Sequence, residues 1–184
     1  MQDHADRVTA SHFHTDFVEE KDRFDVWRES VSILYDVQPL EETLARPFFA
    51  DVQSFLLGPM MASKVSGRIQ TGVRTQQHFA RDGIDHIILQ MNLAGGNVYR
   101  VGSEIVVSSA GDICIIDMAQ EIDSDIHDNN LSATHDQAAS FKNIQYVLPR
   151  ETLTDLVPHL MDCHLHIIRA GTPMNMILGN HLMI

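Results

Sequence analysis

The sequence predicts a mainly β domain with helical additions, an antiparallel β-roll followed by C-terminal helices. Three observations carry that expectation. Four strand-like runs, HIILQMNLAGG, NVYRV, EIVV and DICIID, are joined by short glycine turns, the texture of an antiparallel meander or roll. Apolar residues recur at helical spacing before them, at Phe24, Trp27, Val31 and Leu34, and after them, at Leu153, Leu156, Val157 and Leu160. A chain of 184 residues is also long enough for one sizeable core, so a single domain with additions is expected.

Residues 1–21 carry little periodicity and read as a loose arm or an added strand lying on the body. Asp22 is placed to cap the first helix, with Asp25 three positions on to reinforce it, and the helix should end before Pro39. FFADVQSFLLGPMMASKVSG reads as two strands around a Gly58-Pro59 turn. QTGVRTQQHFARDG is polar enough for a half-exposed strand closed by Asp82-Gly83. In the next run Ile87, Leu89, Met91 and Leu93 share one face, while His86, Gln90 and Asn92 fall on the other with Ile88. Turns at Gly95-Gly96, Gly102-Ser103 and Ala110-Gly111 deliver the following strands. Residues 119–140 are mixed and polar, and suggest at most an edge strand between long loops. FKNIQYVLP alternates Ile144, Tyr146 and Leu148. Pro149 can open a helix that Pro158 splits or kinks. Thr172 and Pro173 open a final helix whose apolar face is Met174, Ile177, Leu178 and Leu182.

Composition narrows the function classes. Asp and Glu number 25 against 13 Lys plus Arg, for a formal charge of -12. Spread along the chain, that excess repels phosphate backbones and makes nucleic acid a poor partner for this segment. The opening residues have neither a basic start nor an apolar h-region, and no run is long enough to span a bilayer. A cytoplasmic chain without membrane contact is the expectation. Cys114 and Cys163 lack any clip-like spacing and read as two free thiols.

Candidate chemistry is sparse. His12/His14 and His164/His166 are H-x-H pairs, which point one way on a strand but apart on a helix, and the second pair falls in helical sequence. The barrel-like stretch holds only isolated His78, His86, His127 and His135, so no three-ligand metal set and no cofactor are expected. There is no G-x-S-x-G elbow, H-E-x-x-H helix or phosphate-cradling glycine loop. Arg68, Arg74 and Arg81 are spaced so that some share a sheet face, which could receive an anion. Ordinary exposed arginines fit the same spacing.

FFADVQSFLLGPMMASKVSG, VRT, ARDGIDHIILQMNLAGG, AGDICIIDMAQ and YVLPRETL, in that order, resemble the N-terminal domain of the AraC/XylS family of bacterial transcription regulators. The most specific pieces are Gly111-Asp112 followed by Asp117, and Leu148-Pro149-Arg150. The resemblance covers residues 24–184. It implies a cupin-like β-roll, often with an effector pocket, and helices that commonly mediate dimerisation. In the family, two helix-turn-helix motifs follow in a separate DNA-binding domain. That domain is absent here, so an excised piece or a short product is expected.

The resulting expectation is an N-terminal arm (1–21), a sensing domain with an initial helix (22–148) and a helical dimerisation segment (149–184), without enzymatic activity. Promoter DNA would be reached only through the absent domain. Ile87, Leu89, Met91, Ile113 and Ile115 are expected to point into the roll, where some line a ligand cavity. Arg74 and Gln90 are the polar candidates at its mouth. Leu153, Leu156, Leu160, His164 and Ile168 are the candidates for a homodimer interface, although a stripe of this kind can equally dock onto its own roll. Two other classes stay open: a cupin-type small-molecule enzyme and a non-catalytic carbohydrate-binding or adaptor β domain.

Overall fold

The computed structural model describes residues 9–44, 46–127, 140–154, 156–157 and 159–183. In chain order the elements are β1 (Thr9–His14), α1 (Arg23–Val31), β2 (Asp36–Pro39), β3 (Ala50–Leu57), β4 (Met60–Arg68), β5 (Gln70–Arg74) and α2 (Gln76–Asp82). They continue with β6 (Ile87–Ala94), β7 (Gly96–Val101), β8 (Glu104–Ser108), β9 (Ile113–Asp117), β10 (Ile122–His127) and β11 (Ser140–Leu148). The chain closes with α3 (Arg150–Thr154), β12 (His166–Ile168) and α4 (Pro173–Leu182).

The strands form two antiparallel sheets, one ordered β1-β3-β4-β11-β6-β9-β12 and the other β2-β5-β10-β7-β8. The roll is therefore as expected, but the four glycine-linked runs do not form a single meander. The chain crosses from the first sheet to the second between β6 and β7 and returns between β8 and β9. Two clusters of buried residues make up the core. Ile88, Tyr99, Cys114, Ile116, Met118, Ile122 and Leu165 form one. Trp27, Val37 and Ala50, with Phe13, Phe24 and Phe48 against them, form the other beneath α1.

Several local expectations hold for local reasons. Gly58 takes a φ of 64° and joins β3 to β4, whose register pairs Leu57 with Met60. Gly102 (φ 59°) turns β7 into β8. The arm supplies β1, which pairs with β3 from Thr9↔Leu56 to His14↔Asp51. Thr172 accepts a hydrogen bond from the Asn175 N–H and Pro173 follows it, so α4 starts where its capping residues predict. Both cysteines are free.

Other expectations are corrected. Asp22 makes no side-chain cap, and Asp25 pairs instead with Arg28 at 2.8 Å. The first helix does end before Pro39, but already at Val31, so Leu34 lies beyond it and the following residues turn into β2, which extends the second sheet beside β5. The QTGVRTQQHFARDG segment is a buried strand followed by a helix, because the His78 imidazole Nδ1 accepts from the Thr75 N–H at 3.2 Å and starts α2. Within 119–140, β10 is a central strand between β5 and β7. Its Asp123 and Asp125 carboxylates are outward and pair with Arg100, so its polar sequence hides a buried strand whose inward residues are Ile122 and Ser124. Residues 128–139 lie outside the described residues, His135 among them.

The C-terminal segment is the largest correction. It is not a long helical stripe: α3 is one short helix, a 3-10 turn covers Leu160–Cys163, and β12 adds to the edge of the first sheet beside β9. Pro158 lies outside the described residues. His166 opens a strand and not a helix, so the H-x-H pair at 164/166 is not helical. α4 also presents a different face from the expected one. It buries Asn175, Gly179 and Leu182, while Met174, Met176 and Ile177 are exposed. The docked side faces β6, where a Cβ on Gly179 would sit in ordinary contact with Met91 at 3.6 Å.

Two acidic residues at the ends of β9, Asp112 and Asp117, explain how this segment is held. The Asp112 carboxylate, just before β9, accepts from the Ser109 N–H at 3.0 Å, the Ala170 N–H at 2.8 Å and Arg169 Nη1 at 2.9 Å. Asp117, at the other end of β9, accepts from the Ala119 N–H at 2.9 Å and from Arg150 Nη2. Asn175 of α4 donates to the Gly111 carbonyl at 2.9 Å. Both ends of β9 are thus fastened to the C-terminal segment by charge-assisted bonds.

His164 belongs to the same clamp. Its Nδ1 accepts from the Asp117 N–H at 3.2 Å, which leaves Nε2–H facing the Glu121 carbonyl at 3.2 Å. Burial lowers its pKa below the usual 6.5, against smaller raising effects of the Glu121 carbonyl and Asp117. A proton on Nδ1 would meet a backbone N–H. Because the folded pKa is depressed, the unfolded chain binds the proton first. Stability from the neutral ring is present above 6.5 and is lost as the pH falls through the folded value. Chemical denaturation from about pH 7.5 to 5 should show wild type losing stability relative to His164→Asn. Parallel pH profiles for the two proteins would remove His164 from the clamp.

Candidate functional site

Alternation along the strands builds one cavity of about 440 Å³ between the sheets. Period-two geometry aims every second residue inward, and the lining follows it: Val52 and Ser54 of β3, Met61, Ser63 and Val65 of β4, Phe141, Asn143 and Gln145 of β11, and Asn97 and Tyr99 of β7. Trp27 and Val31 of α1 cover one side. Such a volume falls within the range of small-molecule pockets.

The strand register arranges the polar residues in a row. Ser54 is opposite Ser63, Ser63 opposite Gln145, and Gln145 opposite Gln90, across four adjacent strands. The side chains are hydrogen-bonded in two runs, Ser54 with Ser63 and Gln145 onward through Gln90. Ser54 and Ser63 hydroxyls lie 2.8 Å apart. Gln145 Nε2 donates to Gln90 Oε1 at 2.9 Å, Gln90 Nε2 to Asn92 Oδ1 at 3.0 Å, and Asn92 Nδ2 to Ser108 Oγ at 3.0 Å. Across the cavity Trp27 Nε1 donates to Gln70 Oε1 at 2.8 Å. Asn143 Oδ1 is buried and has no partner among the described residues.

No described lining residue is Asp, Glu, Lys, Arg or His. Three titratable groups in and behind the wall, Tyr35, Tyr99 and Cys114, are shifted toward their neutral forms. Burial pushes the Tyr35 phenol up to about 12, against the lowering effect of Arg74. Burial likewise raises Tyr99 well above 10 and the Cys114 thiol to about 12.

Of the expected ligand residues, only Gln90 lines this cavity. Ile87, Leu89, Met91, Ile113 and Ile115 are on the opposite face of β6 and β9, paired as Leu89↔Ile115 and Met91↔Ile113, and Met91 lies under α4. Alternation along β6 predicts its apolar face inside. Its polar face is the inner one because the outer face is covered by the C-terminal segment. Arg74 is not at a mouth either: it is 1% exposed and fully engaged by the protein. Arg68 donates to the Pro47 carbonyl and Arg81 to the Ser32 carbonyl, so the three arginines do not form a shared anion face.

The expected interface residues are dispersed. Leu156 is exposed, Leu153 and Ile168 are half-buried, His164 is bonded into the roll, and the Leu160 side chain lies outside the described residues. Sequence reasoning missed Trp27, Asn143 and Gln145 as cavity residues. The signal for two of them is the alternation Phe141, Asn143, Gln145, the face of β11 opposite the apolar one. Among the described residues no group of three or more His, Cys, Asp or Glu could hold a metal ion. None of the described helices is long and apolar enough to cross a membrane.

No family model matches the sequence, and no curated protein does. The chain is similar in structure to the AraC-like transcriptional activator CuxR, with a TM-score of 0.81 and 16% identity over 94% of this chain and 58% of that one. It therefore spans little more than half of that activator's length. A likeness of this kind establishes the fold, a cupin-like β-roll with helical additions. A putative ethanolamine utilization protein Q from Salmonella typhimurium aligns at a TM-score of 0.36 and 13% identity over 61% of this chain and 77% of that one. A cupin 2 conserved barrel domain protein from Rhodopseudomonas palustris aligns at 0.34 and 16% over 71% and 90%. Superpositions that loose carry no argument.

Proposed function

We propose that the chain is the effector-sensing and dimerisation domain of a DNA-binding transcription regulator, and that it is not an enzyme. The observation that carries this reading is the fold shared with an AraC-like activator over nearly the whole chain. A small-molecule effector occupies the cavity, and a second copy of the chain packs on the C-terminal segment. Promoter DNA is contacted by a domain other than this one, in keeping with a charge of -12.

The dimer surface is assigned to α4 and its surroundings, where Met174, Met176, Ile177 and Met183 are each more than half exposed. Leu156, 76% exposed, belongs to the same segment. Apolar side chains in that number on one short helix support self-association more than solvation. Sedimentation equilibrium should give a reversible homodimer. Ile177→Asp should raise its dissociation constant roughly tenfold or more, since each tenfold is about 1.4 kcal/mol and an unpaired carboxylate would be desolvated. A dimer indifferent to Ile177→Asp would move the interface elsewhere on the chain.

A further inference from the structure

The geometry points to an effector class: an uncharged small molecule with an apolar body and N–H or O–H donors at one end, bound in the cavity with those donors on Asn143 Oδ1 and Gln145 Oε1. This deepens the sensing reading and rests on it. The hydrogen-bond polarity of the amide row is the first support. Ser108 Oγ and the Ser109 carbonyl both accept from Asn92 Nδ2, at 3.0 and 3.4 Å. That commits Asn92 Oδ1 to Gln90 Nε2 and Gln90 Oε1 to Gln145 Nε2. The row therefore ends at the cavity on an amide oxygen, Gln145 Oε1.

Two residues away on the same strand, and so on the same face, Asn143 is 5% exposed with its Oδ1 buried and unpartnered among the described residues. A buried acceptor left without a donor is unfavourable until something supplies one. Two acceptors on one face of one strand select a ligand with more than one donor, such as a primary carboxamide. Most of the remaining wall is apolar or aromatic, with Trp27, Val31, Tyr35 and Phe141 around the space that the ligand body fills, and its polar exceptions, among them Ser54, Ser63, Gln70 and Asn97, are neutral. An ionised group would lose its hydration here with no opposite charge among the described lining residues to replace it.

The test uses Trp27, the chain's one tryptophan, as a fluorescent reporter of occupancy, with four probes on one aromatic body. Benzamide has two donors and no charge, N,N-dimethylbenzamide has neither donor nor charge, benzoate is an anion and benzamidinium is a cation. Benzamide is expected to saturate the response at about a tenth of the concentration that the other three need, a difference of about one decade in affinity. Asn143→Leu should level benzamide with its dimethyl analogue without lowering the melting temperature, because it removes an unpaired acceptor. Asn143→Asp should shift preference toward benzamidinium, which keeps the site testable if the leucine variant folds poorly. Saturation by benzoate or benzamidinium at or below the benzamide concentration would overturn the uncharged class and leave the sensing reading standing. No saturable response to any probe would overturn the proposal, while the sedimentation result would still decide the regulatory dimer.

Discussion

Replacing Arg74 by methionine is expected to destabilise the fold by about 3–5 kcal/mol, the scale for removing one partner of a buried ion pair. The guanidinium has five N–H groups, and each has an acceptor: Nε the Met118 carbonyl at 2.8 Å, Nη1 the Leu34 carbonyl at 3.0 Å and Asp82 Oδ2 at 2.9 Å, Nη2 Asp82 Oδ1 at 2.9 Å and the Ile84 carbonyl at 3.1 Å. Both charged side chains are essentially without solvent contact, at 0% and 1%. One side chain thereby ties the turn after α1, the end of α2 and the residues after β9 together. Methionine would fill some of the volume but strand the Asp82 carboxylate and three carbonyls.

The Arg74 hydrogen bonds also hold the Asp82 carboxyl below its usual 3.8, against desolvation. With its folded pKa depressed, the stabilisation is present above 3.8 and disappears as the pH falls through the folded value. Urea titrations of Arg74→Met and of Arg74→Met with Asp82→Asn should therefore separate. The double variant should recover part of the loss, since it buries no charge. A loss below about 1 kcal/mol for the single variant would mean that the pair is solvated in solution.

Gly96→Ala should be nearly as costly, at about 3 kcal/mol, the upper end for forcing atoms into a packed interior. An added Cβ would stand 2.1 Å from the Ser108 carbonyl oxygen and 2.9 Å from its carbon. Gly96 is opposite His127 of β10, and its neighbour Asn97 is opposite Ser108 of β8, so relief requires moving a backbone paired on both sides. The control is Gly102→Ala, where φ is +59° but nothing lies within 4 Å. That change should cost only the left-handed backbone penalty, about 1–2 kcal/mol. Thermal or urea unfolding in which Gly102→Ala is the worse of the two would refute the close approach.

The same contrast shows what the sequence can disclose. Gly58, Gly102 and the Thr172-Pro173 helix start are decided by neighbouring residues, so local chemistry was enough to locate them. The inward face of β6 was not decidable that way. Its two faces carry Leu89 and Met91 on one side and Gln90 and Asn92 on the other, and both are at least half-buried. Only the C-terminal segment on the outside and the polar row inside determine which is which. The same reversal hid Asn143 and Gln145, whose strand was legible through Ile144, Tyr146 and Leu148 on the outer face. Asp123 and Asp125 made β10 look like a loop because their cation, Arg100, is on another strand. Of the glycine pair, Gly95 (φ 71°) makes the turn that local sequence predicts, while Gly96 is required by the approach of β8, which local sequence does not disclose. Along 149–168 the helical spacing was real but lost to tertiary contacts, with β9 capturing residues 166–168 as a strand.

The central claim, that this domain senses an effector and presents a dimer to a DNA-binding partner, is tested most directly in a fusion. The chain is joined ahead of a heterologous DNA-binding domain that represses its operator only as a dimer, and repression of a reporter is read. The expected result is repression by the wild-type fusion and its loss with Ile177→Asp at equal protein level. A wild-type fusion that is abundant, folded and unable to repress would contradict the account.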